Sequence, residues 1–423
     1  MGLIRDYLRA LMRSSLNARV YLAFTFLLSL YVGISNVIFN LYIVKLGHNE
    51  QSLGMLISVS LIATGIFAFP AAQCCDRMGS KMCLVTSGLL TAISLYLLYT
   101  VTSMELLLAL SILNGVFATI PAVIGVPFLM ENTTPDDRLH LFSLNFGVFV
   151  FATMIGTALG GYLPEISSIF FSVPQISLEA YRYTLMVSLA VAALSVVPLI
   201  FIKEHKRSCP LKSDLRSYLH RLAASKTIRQ LVVISSLIGI GAGLIVPFFN
   251  VYFNKILQAD TGEIGLIFSL AQGSMIIGAA AVPYMAARIG KVKTVSLTYL
   301  ISIPFLIMLA FTTNLYLAGG AYILRMLFMN MSSPVSNSFS MEIVGSDEMA
   351  SVSSLTNTAN CFAIAAGSFV AGLLMATGVY TMPYLAACGF YTVASVLYFR
   401  FFRTHERALT TRDEQAIEAE ASA

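Results

Sequence analysis

Arg325 is the eleventh residue of an apolar run that begins at Leu315, and no Asp or Glu stands in the middle of any comparable run to neutralise it. A guanidinium at that depth in hydrocarbon does not snorkel easily to water. It binds carboxylates and phosphates through paired hydrogen bonds, so an anionic solute is one partner that would satisfy it. Backbone carbonyls, Asn side chains and cavity water are the other. Neutral amides interrupt the apolar runs in the same way at Asn36, Asn40, Asn114, Asn250, Gln272, Asn330, Asn357 and Asn360. Asn36 and Asn40 are four apart and share one helical face. Each amide serves equally as a solute ligand or as a helix–helix hydrogen bond. As a set they describe a mixed polar and apolar cavity.

Other chemistries find no residues. No nucleophile, acid–base pair or metal cluster recurs in the runs or the short loops, so neither an enzyme nor a cofactor is expected. Cys74, Cys75, Cys83, Cys209, Cys361 and Cys388 lack metal-ligand spacing and read as packing residues. Glu105, Glu131, Glu165, Glu263 and Glu342, with His48 and His140, all fall at the edges of runs. Proton coupling therefore has no evident titrating group: an edge carboxylate lies deeper, the solute carries the proton, or the protein exchanges a counter-solute or facilitates.

The elements that must position these groups are membrane helices. The chain is 57% hydrophobic and 11% charged, with a mean hydropathy of +0.80, far from a soluble domain. Apolar runs of about twenty residues, each long enough to cross a bilayer, recur along nearly the whole length. Twelve spans are predicted at 19–46, 52–75, 82–101, 106–130, 140–163, 182–202, 229–254, 262–287, 294–312, 315–341, 350–375 and 380–402. Residues 1–18 precede them, with Arg5, Arg9 and Arg13 opposite Leu3, Ile4, Tyr7 and Leu11, as in a helix lying on an anionic surface. Residues 203–228 form a linker between bundles at 19–202 and 229–402, with Leu215, Leu219 and Leu222 beside basic residues. Residues 403–423 are a tail. Lys and Arg gather on alternate loops, leaving Lys45, Arg182 and Lys255 on the opposite ones, which predicts a multi-pass membrane protein with both termini on the cytoplasmic side; a plasma membrane, the bacterial inner membrane, is the expected location. The same bias accounts for the net charge of +5, so no nucleic-acid partner is expected. The partners expected of the chain, as a monomer, are the lipid bilayer, a small-molecule substrate, and protons or a counter-solute.

The two bundles are duplicates. At an offset of 211, Arg77 and Gly79 fall on Arg288 and Gly290, Glu131 on Glu342, Asn114 on Arg325, and Gly54 and Ser58 on Gly265 and Ser269. Gly156 and Gly160 fall on Gly367 and Ala371, and at an offset of 210 Asn40 falls on Asn250. Small residues at four-residue spacing allow close helix packing, the role expected of Gly156, Gly160, Gly367 and Ala371.

On this topology, repeat and one loop motif, the chain resembles the major facilitator superfamily over residues 19 to 402. The family's loop signature between spans two and three appears as Ala72-Gln73-Cys74-Cys75-Asp76-Arg77-Met78-Gly79-Ser80-Lys81, with Ala72 for the first glycine and Ser80 for a basic residue. The resemblance implies a gating latch in which Asp76, Arg77, Gly79 and Lys81 work against Glu131 at the end of span four. Exposed ion pairs of this kind are worth ~0–1 kcal/mol each, weak enough to break as the halves rock. Ala287 replaces the aspartate in the repeat, so the stronger latch is expected around Asp76. Thr157 stands where the family's antiporter motif has proline, and Ser111 where its span four has arginine; both weaken a reading of drug:proton antiport. The family implies an all-α transporter of two six-helix bundles, with the solute near the midplane against spans 1, 4, 7 and 10 and help from 2, 5, 8 and 11. Alternating-access export or exchange of a small organic solute, with an anionic metabolite as the candidate that Arg325 suggests, is the favoured expectation. Multidrug-type efflux is the alternative, and a non-transporting sensor a more distant one.

Overall fold

The computed structural model describes residues 14–134, 137–174, 176–203, 225–344 and 349–421. Arg5, Arg9, Arg13, Leu215, Leu219 and Leu222 lie outside the described residues, as does the side chain of Asp76.

The described chain is helical, and no strand occurs among the described residues. The spans run Leu16–Lys45, Glu50–Met78, Ser80–Thr100, Met104–Glu131, Arg138–Phe171 and Leu178–Ile200 in the first half. The second half holds Lys226–Lys255, Thr261–Ile289, Lys291–Phe311, the pair Leu315–Met331 and Ser333–Glu342, Met349–Ala376 and Thr381–Ala421. Eleven are long and apolar enough to cross a membrane as single helices. Span 10 is the twelfth, broken at Ser332 because Pro334 sits in the first turn of its second segment, where a missing N–H does no harm. Span 7 is likewise interrupted by a 3-10 turn, Val246–Phe248, around Pro247. Pro121, Pro127 and Pro304 lie inside continuous helices. Span 5 extends past its predicted end to Phe171, and span 12 continues through the predicted tail to Ala421.

Local signals set the turns. Asn49 caps span 2 by accepting from Ser52 N at 3.0 Å, and Asp260 opens span 8 with a capping box to Glu263. Gly79 and Gly290, repeat partners, have φ of +86° and +90°, a conformation that an L side chain would strain.

The halves meet where span 2 crosses span 11 and span 5 crosses span 8. A Cβ on Gly54 would lie 2.6 Å from Ser368 O, and one on Gly161 would lie 2.6 Å from Thr261 O, so both crossings need bare backbone. Gly54 packs on Gly372 and Gly265 on Gly161. Gly54 and Gly265 are repeat partners, as are Gly161 and Gly372, so one contact is made twice about a pseudo-twofold axis. Gly156 and Gly160 rest on Leu30 and Ile34 of span 1, Gly367 rests on Ile240 of span 7, and Ala371 is fully buried.

Candidate functional site

A cavity of about 520 Å³ lies between the halves. Span 1 brings Tyr31, Ser35, Asn36, Phe39 and Asn40 to its wall, span 4 brings Ser111 and Asn114, span 7 brings Asn250, span 8 brings Phe268 and Gln272, and span 10 brings Tyr322 and Met326. Span 3 also contributes Leu95, Leu98 and Tyr99, which the family comparison of spans did not anticipate. Asn36 and Gln272 make no side-chain hydrogen bond to another described residue and are available to a solute. Asn114 donates to Ser94 Oγ at a long 3.4 Å. Ser111 and Thr157, the two departures from the family's motifs, both lie on this wall. No Asp, Glu, Lys or Arg among the described residues lines it.

Arg325 is not on the wall. The residue is 2% exposed, its Nη2 donates to Tyr391 Oη at 3.0 Å, and its guanidinium sits 5.3 Å from the Phe249 ring centroid and 5.9 Å from that of Tyr391. Aromatic faces and a phenol thus supply the neutralising environment through cation–π attraction. Its Nε has no hydrogen-bond partner among the described residues. Asn330 donates to Met326 O of its own helix at 2.9 Å. Asn357 and Asn360 lie nearer the basic face than Ile364, the span 11 residue on the wall.

Asn40 and Asn250 close the cavity toward the face opposite the basic one. Asn40 Nδ2 donates to Pro247 O at 2.5 Å and to Asn250 Oδ1 at 3.1 Å, while Asn250 Nδ2 donates to Asn36 O and Val37 O, each at 3.0 Å. These repeat partners therefore bind each other across the halves. The 3-10 turn at Pro247 frees the carbonyl that Asn40 uses. Beyond them is a buried clasp that sequence reading missed. Glu50, 4% exposed at the start of span 2, accepts from Lys255 Nζ of span 7 and from Tyr380 Oη before span 12, both at 2.5 Å. Burial and the Glu50 carboxylate raise the Tyr380 phenol above its usual range, which keeps it a donor. Lys255 was one of three basic residues on the loops opposite the basic face, the signal that could have found it. Glu50 and Arg325 are the only Asp, Glu, Lys or Arg residues that are buried among the described residues.

At the basic face, Arg77 and Glu131 are exposed and Lys81 is half-buried. The second half makes an ionic contact without the aspartate: Lys291 Nζ meets Glu342 at 2.6 Å, and Glu406 accepts from the backbone N–H groups of Lys291 and Val292 at the start of span 9. Glu342 is the repeat partner of Glu131.

Two duplicated six-span bundles around a ligand-sized cavity define a polytopic membrane transporter. The chain matches the model of the major facilitator superfamily over residues 21–368 and again over 231–422, and it belongs to that family. No curated protein matches it by sequence. Its fold is similar to that of a mutant of the nucleoside transporter NupG, with TM-score 0.74 and 16% identity over 91% of this chain and 100% of that one. A bacterial homologue of the human lysosomal transporter Spinster, inward-facing and occupied, aligns with TM-score 0.76 and 13% identity over 92% and 96%. The Escherichia coli fucose:proton symporter FucP aligns with TM-score 0.60 and 14% identity over 90% and 97%. The chain is a transporter of small solutes.

Proposed function

We propose that this chain carries a small uncharged organic solute, ring-bearing and rich in hydroxyl or amide groups, by alternating access. The observation that carries the reading is the cavity wall, where amides, hydroxyls and aromatic rings converge with no charged side chain. A charged solute entering there would lose water without gaining a counter-charge. Amides and hydroxyls recognise sugar-like or base-like groups, and tyrosine and phenylalanine faces stack on rings. The structurally similar NupG and FucP are named for a nucleoside and for fucose, which supports the same class.

The clasp supports the alternating-access reading. Glu50, Lys255 and Tyr380 hold the halves together on one side of the cavity, so the state described is closed there and the solute leaves or enters from the basic face. Breaking that clasp and closing the basic face would expose the cavity to the other side. The loop charges support both termini lying in the cytoplasm.

A second reading keeps the anionic metabolite, exported or exchanged. Arg325 shares span 10 with the wall residues Tyr322 and Met326, and its unpartnered Nε would gain a ligand if Tyr391 rotated. Proteoliposome uptake separates the two, using labelled nucleosides, sugars, carboxylates, phosphate esters and a cationic dye. Nucleosides or sugars are expected to enter. Gln272→Ala and Asn36→Ala each lower uptake by roughly tenfold, the loss of one hydrogen bond in a dry site. Uptake confined to carboxylates or phosphates, and lost in Arg325→Lys, establishes the anionic reading instead. Dye transport alone overturns both in favour of multidrug-type efflux.

A further inference from the structure

A second cavity, about 640 Å³, lies on the outer surface of the second half between the basic-face ends of spans 9 and 12. Neither span contributes to the central cavity, so this groove faces lipid. Arg288, Lys293, Arg400 and Arg403 line it, and no carboxylate among the described residues does. The nearby Glu406 carboxylate is taken by the Lys291 and Val292 N–H groups.

Directly below the cations the groove is apolar. Leu297 and Leu300 follow Lys293 at four and seven residues, and Val396 precedes Arg400 by four, so each helix stacks an exposed aliphatic stripe under its charge. The Arg403 guanidinium lies 5.7 Å from the Phe399 ring centroid, within reach of cation–π attraction. Ser395 Oγ donates to Ser296 O at 2.8 Å and ties the helices together under the groove. Ser296, 6% exposed and on the groove wall, has a hydroxyl with no hydrogen-bond partner among the described residues. A loop that merely fixes topology needs Lys or Arg in the loop; it does not need arginines at two helix positions three apart above a lipid-facing stripe. The repeat does not require the groove either, since the partner of Lys293 is Met82.

We propose that this groove binds an anionic phospholipid, its phosphate on Lys293, Arg400 and Arg403 and its acyl chains on Leu297, Leu300 and Val396. Guanidinium groups take phosphate oxygens in pairs, and each basic residue at a membrane surface strengthens attraction to anionic lipid. The aliphatic stripes choose a lipid over a free anion.

Native mass spectrometry of the full chain, with phosphatidylglycerol, phosphatidylcholine or soluble glycerophosphate added to the detergent, tests this. Wild type is expected to retain phosphatidylglycerol at least about tenfold more tightly than phosphatidylcholine, and to ignore glycerophosphate. Lys293→Gln/Arg400→Gln/Arg403→Gln loses that preference. Arg400→Lys/Arg403→Lys keeps most of it, and the charge-matched Arg138→Gln/Lys226→Gln/Arg229→Gln keeps all of it. Retained phosphatidylcholine binding and a monodisperse elution profile show that the triple variant is folded. Equal preference in wild type and the groove variant, equal loss in the charge-matched variant, or competition by glycerophosphate overturns the proposal.

Discussion

Two ionic contacts sit at opposite faces of this transporter and differ in what they join. Glu50–Lys255 ties one half to the other, with the Glu50 side chain 5% and the Lys255 side chain 37% exposed. Lys291–Glu342 ties span 9 to span 10 inside one half, with side chains 41% and 39% exposed. Under the proposed alternating access the first joins bodies that must separate, so its strength sets an equilibrium between states. The second moves with one body and contributes only to that body's stability. Burial adds to the contrast, because a carboxylate stripped of its counter-charge is costly in a dry site and nearly free in water.

Lys255→Met breaks the contrast most severely, since it leaves Glu50 buried with Tyr380 alone. We expect about 2–3 kcal/mol against the closed arrangement, below a fully buried pair because Lys255 is partly solvated. That shifts the population of states by more than tenfold. Electron–electron resonance between labels at Gln51 and Thr377, with native cysteines replaced, is expected to show a longer distance. Tyr380→Phe removes one hydrogen bond to a charged group and is expected to shift the same distance distribution less, by about 1–2 kcal/mol. Glu50→Gln keeps an acceptor for both partners and leaves Lys255 near water, so a smaller shift of about 1 kcal/mol is expected. Lys291→Ala is expected to leave the inter-half distance unchanged and to lower thermal stability by under about 1 kcal/mol. A change in that distance for Lys291→Ala would erase the distinction between the two contacts.

The spans were readable because a bilayer demands about twenty apolar residues and alternate basic loops, both local properties. The break in span 10 lies where the apolar run gives way to Ser332, Ser333 and Pro334, a local signal that the span predicted at 315–341 passed over. The repeat showed that Asn40 and Asn250 are equivalent. It did not show that they touch, since the position of a symmetry axis is a property of packing. Gly54 and Gly265 were matched in the same way without their role at the crossings being visible. Arg325 drew attention correctly as a buried charge, but its surroundings, Phe249 and Tyr391, come from two other spans. Nothing in the sequence around Glu50 marks it as part of a clasp; only the fold carries Lys255 and Tyr380 to it.

Transport by alternating access requires the clasp to open. In proteoliposomes, Glu50→Cys/Lys255→Cys in a chain otherwise free of cysteine is bridged with a reducible thiol cross-linker, and uptake of the solute that wild type carries is followed. Uptake is predicted to stop when the bridge is in place and to return on reduction. Uptake by the bridged protein at the rate of the reduced protein would contradict the account, because solute would then cross without the halves parting at that face.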